Sequence, residues 1–352
     1  MIQRKSSVRQ SMMPIKSRFL FLGLMLFAIV VVTACVSQIP PDSSVPTTPV
    51  LTTVKVAYLP VVSNGPLFIA KEEGYFAKQG INVEFEKFPT VAAALPVLIS
   101  GDIAVSGGPL TPGLINAVVK GAHVRIVADK GRIAPGYCNS TALMVRKDLF
   151  DQGIVRNVYD LKGRKIMGSS DQSYGVFRAL SLGNMTTDDV EIIEMDYPSG
   201  VIAFKNGAID AGVLTEPYIT QILNSNSAVV LLPAQDFFPD YLYPLYYGPA
   251  FLDKDPELGK QFMVAYLQGV HQYNAGKTER NIEILQNYTH LDRDLLKQSC
   301  WLKVEETGFV PEQPVIEYMD WMYTNDKITQ KVDENQLFDM SYVNYANGVM
   351  QN

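Results

Sequence analysis

Short apolar strands and helical segments alternate along this chain, and no other feature restricts its fold as strongly. One series of strand and helix patterns covers residues 54–128, and a second covers residues 141–232. Repeated alternation of this kind produces sheets of mostly parallel strands with helices on both faces, so two series predict two α/β lobes rather than one barrel. Pro96 lies inside a predicted helix over 92–99 and is expected to kink or shorten it. The remainder, residues 253–352, is predicted to be mainly helical and to complete the first lobe.

Two connecting stretches predict where the chain crosses between the lobes. Residues 135–140 and 236–248 both carry Pro, Gly and aromatic residues, which are typical of hinge strands beside a cleft. The predicted domains are lobe 1, formed by residues 53–138 with 241–352, and lobe 2, formed by residues 139–240.

The N-terminal 34 residues predict an export signal rather than part of the fold. Five basic residues precede an apolar run over 19–32, which is shorter than the ~20 residues that a membrane-spanning helix needs. The run ends in Val32-Thr33-Ala34-Cys35, which resembles a bacterial lipobox and implies that Cys35 is acylated. The alternative is an uncleaved anchor helix with a chance cysteine. Residues 35–52, rich in Pro, Ser and Thr, cannot bury a core and are predicted to be a flexible tether.

Composition excludes several kinds of partner. The net charge is −6 and no basic patch stands out, so we expect no nucleic-acid partner. The chain has only three histidines, well separated in sequence, which predicts no metal site, and we expect no cofactor. Cys138 and Cys300 would lie in an oxidising compartment, where either a disulfide between them or two buried thiols is reasonable. We expect a monomer.

Four sequence stretches resemble one protein family. They are PLFIAKEEGYFAKQGINVE at 66–84, SGDIAVSGG at 100–108, DLKGRKI at 160–166 and NGAIDAGVLTEPY at 206–218. Together they resemble the periplasmic binding proteins for sulfonates, nitrate, thiamine pyrimidine precursors and related heterocycles. The resemblance implies a type II periplasmic-binding-protein fold, in which a hinge joins two α/β lobes with a ligand cleft between them, and an ABC permease as partner. The aromatic content resembles the branch that binds pyrimidine precursors and riboflavin.

Candidate ligand-binding residues follow the predicted strands, because ligands of open α/β sheets lie beyond the carboxyl ends of the strands. They are Asn64, Gly107, Gly108, Tyr137, Asn139, Ser170, Gln172, Ser173, Tyr174, Glu216, Tyr218 and Tyr246. Each has a purely structural alternative: helix capping for the Asn and Ser positions, a turn for the glycines, core packing for the tyrosines and a favourable helix dipole for Glu216.

The chemistry of these candidates favours one ligand class. They are rich in Tyr, Asn, Gln and Glu and include no Arg or Lys. Tyrosine faces and amide or carboxylate edges suit a neutral nitrogen heterocycle, such as riboflavin or a thiamine pyrimidine precursor. A sulfonate, taurine or nitrate ligand is the alternative.

We therefore predict a lipid-anchored solute-binding protein that closes around a small molecule outside the cytoplasmic membrane and delivers it to the transmembrane subunits of an ABC importer. A pyrimidine-forming enzyme on the same fold would need a cysteine-rich iron motif and an active-site histidine, and the sequence shows neither. A receptor would need a transmembrane segment after the body, and residues 345–352 offer none.

Overall fold

Two five-stranded sheets organise the part of the chain that the computed structural model describes, residues 50–133, 137–168, 173–237, 239 and 241–351. The strands are β1 (Thr52–Tyr58), β2 (Ile81–Lys87), β3 (Val105–Gly107), β4 (Arg125–Arg132), β5 (Thr141–Arg146), β6 (Lys165–Gly168), β7 (Glu191–Glu194), β8 (Ala211–Thr215), β9 (Ala228–Pro233) and β10 (Leu242–Tyr247). The first sheet has the order β2-β1-β3-β10-β4 and the second β7-β6-β8-β5-β9. The predicted signal, Cys35 and nearly all of the tether lie outside the described residues.

Helices connect the strands and form most of the chain after β10. They are α1 (Gly65–Glu72), α2 (Tyr75–Lys78), α3 (Val91–Ser100), α4 (Pro112–Val119), α5 (Lys147–Asp151), α6 (Ser173–Ser181), α7 (Tyr197–Asn206), α8 (Tyr218–Asn224), α9 (Ala234–Phe237), α10 (Pro256–Asn274), α11 (Glu279–Thr289), α12 (Arg293–Gln298), α13 (Glu312–Thr324), α14 (Glu334–Leu337) and α15 (Ser341–Met350). None of the described helices is long and apolar enough to cross a membrane.

Each sheet contains one reversed strand. In the first sheet β10 is antiparallel to β3 and β4, and in the second β5 is antiparallel to β8 and β9, whereas the other pairs are parallel. Both reversed strands come directly after the chain has crossed from the other sheet. The structure confirms the predicted α/β fold class with two lobes. The exact lobe boundaries given above remain a prediction.

Two stretches that contain proline form regular elements. Pro96 does not shorten α3, and its ring lies on the exposed side of the helix, where the carbonyl that loses its partner can bond to water. The stretch 242–247, which lies in the second predicted crossing, is β10, a fully buried strand of the first sheet that follows directly after the chain leaves the second sheet. Pro244 is tolerated there because it lies at a register shift against β4, where a missing N–H breaks no regular ladder.

The segment between α12 and α13, residues 299–311, is bonded to both sheets, and we call it the connecting strap. Cys300 in the strap forms a disulfide with Cys138, which decides between the two alternatives left open by the sequence. The backbone N–H of Cys300 donates to Glu216, just beyond β8, at 3.1 Å. The N–H of Glu305 donates to Asp129 of β4 at 2.7 Å. The strap therefore connects the first sheet to the second, and its disulfide joins it to Cys138 in the segment where the chain crosses from β4 to β5.

Candidate ligand-binding site

A cavity lies where the ends of strands from the first sheet meet residues of the second, and we call it the central cavity. Its lining residues are Leu59, Val61, Ser63, Asn64, Val91, Gly107, Gly108, Pro109, Lys130, Tyr197, Thr215 and Tyr243. The volume of this cavity that is accessible to water is about 30 Å³. One water molecule needs about 10–15 Å³ on this measure, so the cavity in this conformation has room for only a few atoms.

Lys130 places a positive charge inside this cavity. Its side chain is buried, and its Nζ donates a hydrogen bond to Ser63 Oγ at 2.9 Å. Burial lowers the pKa of Lys130 to about 8, and the neighbouring Asp129 partly opposes that shift. None of the residues that line the central cavity is acidic. An anion in the cavity would therefore compensate the ammonium, whose burial is otherwise costly.

Asp129 faces away from the cavity although it adjoins Lys130 in sequence. Successive side chains of a strand point to opposite faces, and here the carboxylate accepts hydrogen bonds from the backbone N–H groups of Gly131 and Glu305. Burial raises the pKa of Asp129 to about 6. The adjacent charges of β4 therefore serve different purposes: Asp129 holds the connecting strap, and Lys130 reaches the cavity.

Two glycines let the lysine side chain lie across the end of β3. A Cβ atom at Gly107 would lie 2.6 Å from Lys130 Cδ, and one at Gly108 would lie 2.5 Å from Val91 Cγ2. Gly108 also has a φ of +148°, which side-chain-bearing residues rarely adopt. Tyr246 fixes this turn, since its hydroxyl donates to the Gly108 carbonyl at 3.0 Å. Any larger residue at these positions would displace the ammonium or the turn.

The second sheet contributes the opposite wall. Thr215 ends β8, and its hydroxyl donates to the Ser140 carbonyl at 3.0 Å. Tyr197 begins α7 and stacks on Tyr218, with ring centroids 5.5 Å apart. Residues of both sheets therefore line one cavity, which is the arrangement that a ligand-induced closure requires.

The structure brings together only some of the predicted site residues. Asn64, Gly107 and Gly108 line the central cavity, and the Asn64 amide donates to the Leu59 carbonyl at 2.6 Å. Tyr218 and Tyr246 lie one layer behind it, as supports for Tyr197 and Gly108.

The other predicted residues lie elsewhere. Tyr137 is exposed and lies beneath the Lys303 ammonium, 5.5 Å from its ring centroid, and Asn139 is half-buried outside the cavity lining. Tyr174 lines a different cavity, described below. Ser170 and Gln172 lie outside the described residues, as does the side chain of Ser173.

Glu216 is not among the cavity residues, because its carboxylate is occupied within the chain. It is 5 % exposed and accepts hydrogen bonds from the Thr220 N–H, the Thr220 hydroxyl and the Cys300 N–H, at 3.0, 2.9 and 3.1 Å. Burial raises its pKa, and these bonds act against the shift. The sequence-based expectation of a ligand contact at Glu216 therefore has no support in this geometry.

We expect Glu216→Ala to lower the free energy of unfolding by about 2 kcal/mol, because it leaves buried N–H donors without an acceptor. Ligand affinity should change less than about twofold, since no cavity contact is lost. Urea unfolding and calorimetry measure the two quantities, with exposed Glu84→Ala as the matched control. Weaker ligand binding at unchanged stability would return Glu216 to the site.

Sequence reasoning missed Lys130, Tyr197 and Tyr243. The predicted set includes no Arg or Lys, whereas Lys130 lines the central cavity. The signal that could have identified Lys130 is the charged pair Asp129-Lys130. This pair directly follows the apolar run of a strand and precedes Gly131. Among the described residues, no group of three or more His, Cys, Asp or Glu side chains could hold a metal ion.

Comparison with known proteins shows the family to which the chain belongs. A family model described as NMT1/THI5 like matches residues 63–276, which include Lys130 and most of the cavity lining. A binding protein of Brucella abortus (strain 2308) is 27% identical over 230 residues, 64% of this chain and 67% of that protein. The riboflavin-binding protein RibY of Chloroflexus aurantiacus is 25% identical over 275 residues, 72% of this chain and 74% of that protein.

Solved structures agree on the fold. The nitrate-binding protein NrtA of Synechocystis PCC 6803 superposes with a TM-score of 0.71 at 16% identity, covering 86% of this chain and 90% of that one. The desulfurization enzyme DSZB superposes with a TM-score of 0.63 at 13% identity, covering 85% and 99%. At such identities the likeness shows the fold alone, and it confirms the predicted two-lobe, type II architecture.

Proposed function

Because the chain belongs to the NMT1/THI5-like family, we propose that it is the extracytoplasmic solute-binding component of an ABC importer and holds a small oxyanion in its central cavity. The observation that carries the ligand class is the buried ammonium of Lys130, whose hydrogen-bond partner in the cavity is the neutral hydroxyl of Ser63. The Asp129 carboxylate is bonded to Gly131 and Glu305 on the other side of β4, and no carboxylate lines the cavity, so a ligand that supplies a negative charge there is favoured.

Size and charge favour an oxyanion over a flavin. An accessible volume of about 30 Å³ matches a few heavy atoms, as in nitrate, bicarbonate or a sulfonate head group. The nitrogen heterocycle expected from the sequence remains the second candidate, since Tyr197 and Tyr243 line the cavity and RibY is a relative. A heterocycle would need the lobes to open further.

Ligand capture would proceed by closure of the lobes. The anion would first meet the lobe that carries Lys130 and Ser63, and then Thr215 and Tyr197 of the second sheet. Because the anion contacts both walls only in the closed form, it binds that form more tightly than the open one. The larger this difference in affinity, the further the equilibrium shifts toward the closed form. The closed monomer would then dock on the transmembrane subunits of the importer.

A binding screen tests this function. The chain from Val36 is titrated with nitrate, bicarbonate, taurine, an alkanesulfonate, riboflavin and a thiamine pyrimidine precursor, with thermal unfolding as the readout. A ligand at a hundredfold excess over its Kd should stabilise the fold by about 2.7 kcal/mol. Stabilisation by an oxyanion supports the proposal. Stabilisation by riboflavin or the pyrimidine alone would overturn the oxyanion assignment, and no response to any of the six would overturn both.

The pKa of Lys130 predicts how nitrate affinity changes with pH. Nitrate keeps its charge throughout, so only the ammonium titrates. The association constant should stay constant from pH 6.5 to 7.5 and fall above pH 8, the value near which Lys130 loses its proton. The decrease should approach about tenfold per pH unit. Calorimetry at five pH values checks this. A flat profile up to pH 10 would show that the ammonium is not a ligand contact.

The predicted lipidation is proposed as the means of attachment. In a bacterial host, the wild-type chain should partition into the detergent phase of Triton X-114, since two or three acyl chains anchor firmly. Cys35→Ser should move the protein to the aqueous phase. Equal partitioning of the two proteins would rule out a lipid anchor at Cys35.

An enzymatic role on the same fold is not favoured by the described residues. Cys138 and Cys300 are both oxidised in the disulfide, so neither offers a thiolate nucleophile. No cofactor is required for the proposed binding reaction.

A further inference from the structure

A second, larger cavity lies between α6 and α13, and we call it the lateral cavity. Its lining residues are Tyr174, Arg178, Phe237, Pro239, Tyr241, Gln313, Pro314, Glu317, Tyr318 and Trp321. It shares no lining residue with the central cavity. The volume of this cavity that is accessible to water is about 370 Å³, which is in the usual size range of small-molecule sites.

Aromatic side chains form most of its wall. The rings of Tyr174 and Tyr318 stack with centroids 3.8 Å apart, and Trp321 lies 4.4 Å from Tyr174. Tyr241 approaches the same pair, with centroids 5.9 Å from Tyr174 and 5.7 Å from Tyr318. Rigid aromatic rings offer a large contact area to another planar ring by stacked or edge-on packing.

Groups of opposite charge line the cavity on its two helices. Arg178 of α6 uses its Nε–H to donate to the Phe237 carbonyl at 3.1 Å, and a guanidinium has four more N–H donors. Glu317 of α13 accepts a hydrogen bond from the Gln313 amide at 3.0 Å. The cavity therefore offers donors from Arg178 and an acceptor in Glu317.

We propose that the lateral cavity binds a planar heteroaromatic molecule whose edge carries both carbonyl and N–H groups. The rings of Tyr174 and Trp321 contact its plane, Arg178 donates to its carbonyl groups, and Glu317 accepts from its N–H groups. This site is distinct from the oxyanion site and does not depend on it.

The cavity is also placed to influence closure. One wall is α6, which follows β6 of the second sheet, and the other is α13 of the C-terminal region. Tyr241 on its lining contacts Tyr243 of the central cavity, with ring centroids 5.4 Å apart. A ring bound between the two helices would hold them at one spacing, next to the tyrosine pair that borders the central cavity.

Tryptophan fluorescence tests the proposal, because the chain has only Trp301 and Trp321. In Trp301→Phe, the remaining signal comes from Trp321 on the lateral cavity wall. Riboflavin is the probe, since its ring carries carbonyl and N–H groups on one edge, and ribitol is the non-planar control. We expect saturable quenching by riboflavin and none by ribitol. Arg178→Met and Glu317→Gln should each raise the half-saturating concentration at least about fivefold.

Lys130→Met distinguishes this site from the central one. Quenching that persists in Lys130→Met and weakens in Arg178→Met or Glu317→Gln supports a separate lateral site, whatever the oxyanion titrations show. Loss of quenching in Lys130→Met, or non-saturable quenching, overturns the proposal. Equal half-saturation in wild type, Arg178→Met and Glu317→Gln also overturns it. Glu317 is exposed, so its substitution keeps the test valid if Arg178→Met does not fold.

Discussion

Replacing Lys130 with methionine should abolish oxyanion binding at practical ligand concentrations. The ammonium is the one charge in the central cavity lining, and it is buried, so water cannot substitute for it. Losing a buried charge partner costs about 3 kcal/mol, or roughly two powers of ten in Kd. Calorimetry with the tightest-binding anion of the screen measures the effect.

The fold should survive this substitution, which makes the result interpretable. Methionine has a similar length, and replacing a buried charge by an apolar side chain is often neutral or stabilising. Lys120→Met removes an exposed lysine and serves as the matched control, with unchanged affinity expected. An affinity in Lys130→Met within threefold of wild type would refute the anion assignment.

Removing the disulfide should cause the largest loss of stability. Cys138 and Cys300 are 162 residues apart in sequence, so the bond closes a very long loop in the unfolded chain. The chain-entropy model gives about 5 kcal/mol for such a loop, and measured losses are commonly 2–5 kcal/mol. We therefore expect Cys138→Ser/Cys300→Ser to lower the free energy of unfolding by about 4 kcal/mol in urea titrations.

A reducing agent provides the matched comparison for this prediction. Dithiothreitol should lower the stability of the wild-type chain from Val36 to that of the double variant and leave the variant unchanged. If the double variant unfolds at the wild-type urea concentration, the disulfide contributes nothing. In that case the hydrogen bonds of the strap, such as those to Glu216, Asp129 and Asn274, would hold it without the disulfide.

The regular part of the fold could be predicted because it rests on local patterns. Strands such as β2 and β8 alternate or run apolar between turn residues, and each lies within one of the two predicted series. The position of β10 inside the first sheet was not predicted, because its tyrosines and Pro244 are equally typical of a hinge strand beside a cleft. No local pattern shows that a strand will be inserted between two others that are far away in sequence.

The site was harder to predict because charged residues are usually exposed. Lysine is almost never fully buried, so Lys130 was assigned no role, although its neighbours Gly107 and Gly108 were identified from their position after a strand. Glu216 shows the opposite error. Its position after β8 suggested a ligand contact, but its carboxylate accepts hydrogen bonds from Thr220 and from the N–H of Cys300, 84 residues away. Partners so distant in sequence leave no local trace.

The position of β10 also sets an order of assembly. All strands of the second sheet lie within residues 141–233, so that sheet can form as soon as this stretch is available. In the first sheet β3 and β4 do not pair with each other, and β10 joins them only after the whole second sheet has passed. A chain emerging from its N-terminus would therefore finish its second lobe first. The first lobe would keep two unpaired strand edges until residue 247 arrives, and such edges are where another chain could pair.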